Sequence, residues 1–546
     1  MTIKGLFIML CEIFCKQFHQ QKITFHNNLN VVLGTTKADN SIGKSTLLLI
    51  IDYVFGGDKY SDSIDILDNI GEHTIGFKFR FKDKEYYFSR AFLDRSSVST
   101  CDANYQVTGT LRISEFKEWL SEQYGLTLFD LSFRDAVSRY IRVYGKGNYD
   151  EKHPLHAIST EPAKNATISL LKLFDGYKEI SKLEEMEKES SDKLKAFRQA
   201  QKHNFISTIT KTKFNQNIKD ISRIRCEIDS LAKDLNYGLM DLNSISSTKA
   251  IEIKKQLSHA RRLRSKLVSR MSTIEENGSY KFSLTSEVIQ ELALFFPQTN
   301  FRRIAEIESF HKEIAKIFRQ ELTNERKKLN QELKSFDEEI LKLNNQLMEL
   351  IPNSNLSNKI LQRYAELNQQ VEQMGNENWT YRESEDLRSI QSQNQQMLET
   401  AKSRQFALIE KKINREMDRI NDLLYKEKHN SPIIHFENSG YTFQTPNDTG
   451  TGIAYKGLIV FDLAILSLTS LPILVHDSLL LKQISDDAVE NILDQYASYN
   501  KQVFIAFDKQ KSYSSKVAAT LDENTVITLA PGGEELFGRS WSKRSA

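Results

Sequence analysis

Apolar positions along this 546-residue chain fall into three regimes. Up to residue 164 they come in short runs set off by turn residues: Leu29-Asn30-Val31-Val32-Leu33-Gly34, then 73–81, then 85–89. Runs of that length predict strands, and the longer apolar stretch 47–55 predicts a helix among them. From residue 165 the period changes. Ile221, Ile224, Ile228, Leu231 and Leu235 recur at alternating steps of three and four, and Leu329, Leu333, Phe336, Ile340, Leu343, Leu347 and Leu350 hold the same alternation for about three heptads. After residue 430 strand and turn patterns return, at 433–437, 441–444, 473–477 and 503–508.

Two such seams in the two halves of one insertion predict an antiparallel coiled coil over 165–430, flanked by lobes at 1–164 and 431–546. The most apolar, proline-bearing interruption, 277–301 with Leu292, Leu294, Phe295, Phe296 and Pro297, is the expected apical segment where the chain reverses. Breaks near 236–243 and 352–358 lie at comparable distances from it on the two limbs and predict an elbow. Limbs of roughly 100 residues at 1.5 Å rise would carry the tip on the order of 100 Å away, less if the elbow folds.

Composition agrees with long helices, since only 8 Pro and 22 Gly punctuate the chain. At 40% apolar and 27% charged it reads as folded and soluble, with no membrane partner expected. Lys and Arg total 74 against 72 Asp and Glu, so any nucleic-acid footprint has to be local. The densest basic stretch holds Arg261, Arg262, Arg264, Lys266 and Arg270. Two readings stand for it: contact with DNA or RNA phosphates, or a helix face paired with acids on a neighbouring helix. The four cysteines form no CxxC pair, which fits a reducing, cytoplasmic setting. The apolar run 5–15 contains Glu12, lacks a small-residue cleavage site and leads into a strand-like segment, so it is not expected to be a signal peptide.

The chemistry concentrates at the inner ends of the predicted strands. After the strand at 29–33 comes Ala38-Asp39-Asn40-Ser41-Ile42-Gly43-Lys44-Ser45-Thr46 and then the apolar helix, the strand, loop and helix order of a phosphate-binding Walker A element. Loop N–H groups around Asn40, Gly43 and Thr46 would wrap the phosphates of ATP, Lys44 would meet the β and γ oxygens, and Ser45 would ligate Mg2+. Ala38 stands where the first glycine of the pattern belongs, and Gly34 lies too far upstream to replace it. Near the other end, Leu471-Pro472-Ile473-Leu474-Val475-His476-Asp477 is an apolar strand ending in an acid that could hold the same magnesium. Between these, Asp448-Thr449-Gly450-Thr451-Gly452 precedes Lys456 and a helix expected at 457–469; Gly450, Thr451 and Gly452 could cap a γ-phosphate.

Walker A near the start, a coiled coil in the middle and a signature-like loop plus Walker B near the end resembles the structural-maintenance-of-chromosomes class, including RecN-like and SbcC-like repair ATPases. The resemblance implies an α/β fold: a split ABC-type P-loop ATPase head with a long antiparallel coiled-coil insertion. It further implies ATP-dependent head-to-head homodimerisation, with the 449–452 loop of one subunit contacting nucleotide on the other. Phe295-Phe296-Pro297, Glu306-Ile307-Glu308-Ser309-Phe310-His311, His476-Asp477-Ser478 and Phe504-Ile505-Ala506-Phe507-Asp508-Lys509 are similar to an uncharacterised-domain family of SMC-like ATPases. Members of that family occur in bacterial conflict systems, among them ABC three-component operons, and similar ATPases accompany HNH nucleases in Septu-type and retron-linked defence. The implied partner is therefore an effector protein such as a nuclease. The alternative from another class is a repair ATPase acting on DNA ends.

Two departures bear on catalysis. Ser478 stands where the class has a catalytic glutamate, and a hydroxyl is a poor general base, so slow turnover is expected. His476 is the candidate substitute, although neighbours on a strand point to opposite faces and it should not share the phosphate side with Asp477. At the expected switch-histidine position stands Asp508-Lys509. No glutamine loop is visible; in that region Arg139 or Arg142 either lies on an ordinary helix surface or senses nucleotide.

Overall fold

The computed structural model describes residues 8–35, 39, 41–240, 248–277, 301–349, 355–425, 429–437, 440–447, 450–508, 510 and 513–541. They form two compact units, one of residues 1–198 with 386–546 and one of residues 199–385.

The first unit opens with an antiparallel sheet. Strands β1 (Ile8–Phe14) and β2 (Lys22–Thr24) precede β3 (Leu29–Leu33), which joins a different sheet; helices α1 (Lys44–Val54) and α2 (Ile64–Ile70) follow, then β4 (Thr74–Phe81), β5 (Lys84–Ala91), β6 (Ser97–Cys101) and β7 (Val107–Arg112). The order β2-β1-β4-β5-β6-β7 is antiparallel throughout, with β4 to β7 following one another as hairpins. Ile75, Phe77, Phe79 and Phe81 turn one face of β4 into the core, where Phe77 and Phe88 meet Phe116 on α3 (Ile113–Tyr124). The two-residue turn between β4 and β5 places Lys82 and Asp83 at φ 48° and 68°, the left-handed pair whose twist suits a tight hairpin. The run 5–15 is thus a strand from Ile8 onward, with Leu10 and Ile13 in the core.

After α4 (Phe133–Val137), β8 (Ile141–Arg142) and α5 (Ala163–Leu173), the chain enters the long helices α6 (Tyr177–Lys202), α7 (Lys211–Met240), α8 (Thr248–Asn277), α9 (Phe301–Glu349) and α10 (Asn355–Tyr425). It returns through the hairpin β9 (Ile433–Glu437) and β10 (Gly440–Gln444), α11 (Thr451–Leu468), β11 (Ile473–His476), α12 (Ser478–Leu481), α13 (Asp486–Ser498), β12 (Gln502–Phe507), α14 (Ser515–Asn524) and β13 (Thr525–Thr528). A five-stranded parallel sheet in the order β13-β3-β12-β11-β8 joins both chain halves. β3, β11 and β12 are buried along their whole length, as strands covered on both faces must be. One cover is α11, long and apolar enough by composition to cross a membrane, yet buried from Lys456 to Leu466 as the core helix of this unit. The architecture is a split ABC-type α/β head with a long antiparallel helical insertion.

Within the same unit, α10 lays Ile409, Ile413, Met417, Ile420 and Leu424 into the core, and Lys402 pairs with Glu184 of α6. The ends of helices that the sequence assigns to the arm are therefore packed on the head. In the second unit, Ile224, Ile228 and Leu231 of α7 pack against Tyr364, Leu367 and Val371 of α10, while Leu257 and Ala260 of α8 meet Ile340 and Leu343 of α9. Partners run in opposite directions: Asn217 bonds Asn378 whereas Glu227 pairs with Arg363, and Arg264 pairs with Asp337 whereas Arg270 pairs with Glu325. Both heptad seams are thus contact faces. α7 and α8 are separate helices, as are α9 and α10; parts of the regions expected to break, 236–243 and 352–358, lie outside the described residues. The apical segment lies outside the described residues apart from its two ends, Asn277 and Phe301.

Candidate functional site: a phosphate loop facing two strand-end acids

β3 carries the chain to the C-terminal edge of the parallel sheet, where the Gly34 N–H donates to the Phe507 carbonyl at 2.8 Å. A Cβ on Gly34 would come within 2.2 Å of Asp508 Oδ1 and 3.0 Å of Lys44 Cδ, so the absence of a side chain here makes room for both. The loop reaches α1 through Ser41 at φ 60° and Gly43 at φ 98°. Gly43 is doubly constrained, because a Cβ there would also lie 2.5 Å from Leu536 Cβ. Lys44 begins α1; its Nζ donates to the Asp39 carbonyl at 2.8 Å and stands 2.9 Å from Asp508 Oδ1. Ser45 and Thr46 follow, half-buried, in a first turn that holds no acid, so the positive end of the helix dipole faces the loop. Asn40 and Ala38 lie outside the described residues.

Asp477 ends β11 and caps α12. Its Oδ2 accepts the Tyr144 N–H at 3.1 Å, and Oδ1 accepts the Ser478 hydroxyl at 3.3 Å. Asp508 ends β12, the strand between β3 and β11, so the two acids and the phosphate loop share one sheet edge where adjacent strands leave in different directions. Both Asp508 oxygens are buried without a well-formed hydrogen bond; the ammonium of Lys44 and, at 3.5 Å from Oδ2, that of Lys482 balance its charge. A poorly bonded buried carboxylate facing two lysines, in a cradle that a Cβ would fill, fits a site built for phosphate oxygens and a metal.

A family model described as an uncharacterised protein conserved in bacteria matches residues 410–541. Among solved structures, the chain is similar to the Smc head domain with a coiled coil and joint from Pyrococcus yayanosii, at 12% identity and TM-score 0.41, covering 98% of this chain and 96% of that one. It is similar also to the Smc head domain with an extended coiled coil bound to the C-terminal domain of ScpA from Pyrococcus furiosus, at 12% identity and TM-score 0.34, covering 98% and 95%. No curated protein matches.

His476 faces away from this edge. It is fully buried, with Nδ1 2.6 Å from the Tyr496 hydroxyl and Nε2 2.9 Å from Asp462 Oδ2, and burial lowers its pKa against the raising pull of Asp462. Both ring nitrogens are thus engaged in the core. Ser478 is at the expected edge, its hydroxyl spent on Asp477.

Gly450 caps α11 and is exposed, while Thr451 and Gly452 are its first residues; Thr449 lies outside the described residues. The helix starts six residues before the expected 457, so Lys456 is helical and buried, donating to Asn421 Oδ1 at 2.9 Å. Gly452 is needed for packing, since a Cβ would sit 2.5 Å from the Gln483 carbonyl. Arg139 and Arg142 are both buried, Arg139 on Glu161 at 2.8 Å and Arg142 bidentate on Asp462. On the arm, Arg264 and Arg270 each pair with an acid of α9 at 2.6 Å, and Arg261 is half-buried; Arg262 and Lys266 are exposed. For Arg264 and Arg270 the paired-helix reading is the one observed.

Three features escaped the sequence reading. Lys482 reaches Asp508 from beyond α12. Residues 530–538 strap the phosphate loop, the Leu536 N–H donating to Ile42 O at 3.1 Å while Glu535 accepts the Gly532 and Gly533 N–H groups; Pro531-Gly532-Gly533 was its only signal. Asp52, on the inner face of α1, pairs with Arg134 at 2.7 Å and Lys146 at 2.9 Å.

Proposed function

We propose that the chain is an ATP-binding, slowly hydrolysing switch of the SMC kind. The observation that carries this reading is the convergence of Lys44 with Asp477 and Asp508 on one sheet edge, supplied by two chain halves that a helical insertion separates. The loop and the first turn of α1, with Gly43, Lys44 and Thr46, hold the phosphates of ATP; Asn40 is assigned to the same loop. Ser45 and Asp477 are the side chains that would hold Mg2+, which when bound neutralises charge on the β and γ oxygens. Ser478 orients Asp477 and takes no proton, so turnover is slow.

Gly450, Thr451 and Gly452, at an exposed helix N-terminus, are assigned to the terminal phosphate of a second copy's nucleotide, making head association ATP-dependent. On the resemblance stated above, the switch belongs to a prokaryotic antiviral defence complex and controls an effector such as a nuclease. Arg262 and Lys266 are its candidate nucleic-acid contacts. Equilibrium binding of a fluorescent ATP analogue with magnesium tests the core of the proposal: Lys44→Ala should abolish binding while far-ultraviolet circular dichroism shows the fold retained. Undiminished binding by that variant would remove the assignment.

A further inference from the structure

We propose that Asp508 sets the preference of the site between nucleoside triphosphates and diphosphates, by standing beside Lys44 in the place that a terminal phosphate has to take. The inference rests on the nucleotide-binding reading above and deepens it. β12 pairs with β3 so that Phe507 lies opposite Leu33, and the next residues outward, Asp508 and Gly34, stand side by side where the strands end. Gly34 lacks the Cβ that would meet Asp508 Oδ1 at 2.2 Å, so the loop is shaped around this carboxylate. Lys44 Nζ lies 2.9 Å from Oδ1 and Lys482 Nζ 3.5 Å from Oδ2, which places one anion between two cations.

A phosphate-loop lysine serves the β and γ oxygens, while loop N–H groups and the helix N-terminus wrap the inner phosphates. The acid stands at the end of β12, the strand between β3 and β11, so a terminal phosphate held between Lys44 and Asp477 would meet it. A diphosphate leaves the Lys44–Asp508 pair standing. A triphosphate brings its terminal oxygens against a buried carboxylate and must displace it from the lysine, at a Coulomb cost that burial raises above its value in open water. The Asp508 oxygens are held by charge without well-formed hydrogen bonds, so the displacement breaks an ion pair and little else.

A purely structural role makes a different prediction. If Asp508 only pinned the end of β12 to α1, its loss would loosen the loop and weaken both nucleotides together. The test uses the full chain with magnesium and measures equilibrium affinities for ADP and for a non-hydrolysable ATP analogue, in the parent, Asp508→Asn and Asp508→Ala. The parent should hold ADP at least as tightly as the triphosphate analogue. Each variant should gain about tenfold or more for the triphosphate while ADP changes by less than about threefold. A parent that strongly prefers the triphosphate, or variants whose affinity ratio is unchanged or falls, would overturn the inference and leave nucleotide binding intact. A parent that binds neither nucleotide would overturn both.

Discussion

Asp477 and Ser478 are neighbours on the chain, and the hydroxyl of the second is spent on the carboxylate of the first. Turnover is therefore expected below about 1 per second, the low end for enzymes, and Ser478→Ala should leave it within about threefold, as a phosphate-release assay would record. A drop of a hundredfold would make the serine a direct participant. His476, between Tyr496 and Asp462, should behave as a core residue: His476→Phe leaves the Tyr496 hydroxyl unpartnered, while Arg142 still holds Asp462, and should lower stability by ~1–3 kcal/mol. Asp52 gives a pH signature. Burial raises its carboxyl, but Arg134 and Lys146 outweigh burial and hold it at about 2, below the ordinary 3.8. Its contribution is present above about pH 4 and is lost as pH falls towards 2. Lys146 goes the other way, because burial outweighs its single counter-ion and brings it to about 8 from 10.5, so this group adds stability as pH rises from 8 to 10.5. Asp52→Asn leaves two buried cations uncompensated and should cost about 3–5 kcal/mol in denaturant unfolding at neutral pH. It should also flatten the acid limb between pH 4 and 2. An unchanged acid limb would contradict the assignment.

Among elements, what the sequence made legible followed from periodicity. The wholly apolar runs at 29–33 and 503–507 could only be covered strands, and the alternation of Ile224, Ile228 and Leu231 became a contact face of α7. Boundaries set by tertiary contact were not legible. α11 begins at Thr451 in spite of two nearby glycines because Gly452 has to approach Gln483, a contact thirty-one residues away that no local pattern records. The ion pair between Lys44 and Asp508 joins residues at opposite ends of the chain and could not be read before the sheet order was known. The arm seam should be separable from the site: Leu257→Ala with Ile340→Ala, each costing ~2–5 kcal/mol, should lower the helical melt of the insertion and leave nucleotide affinity unchanged. The basic stretch divides likewise. Reversing Arg262 and Lys266 to Glu should abolish salt-dependent nucleic-acid binding by the arm, whereas Arg264→Ala should chiefly destabilise its pairing with Asp337. Equal effects of the two changes on binding would contradict that division.

For the molecule as a whole, the parallel sheet is the reason for the split design. β3 and β8 come from before the insertion and β11, β12 and β13 from after it, so neither half can close the sheet or complete the site alone. The roots of α6 and α10 are packed with the head core. The split head was legible from motif order, whereas the directions of the side chains were not: His476 points inward and Asp508 onto Lys44. The central claim is that ATP joins two heads through the N-terminus of α11. The most direct measurement is the solution mass of the full chain by sedimentation velocity, with and without ATP and magnesium, repeated for Lys44→Ala and Gly450→Glu. The account predicts a shift from one copy to two on adding ATP, absent in both variants. A mass that ignores ATP, or a Gly450→Glu chain that dimerises like the parent, would contradict it.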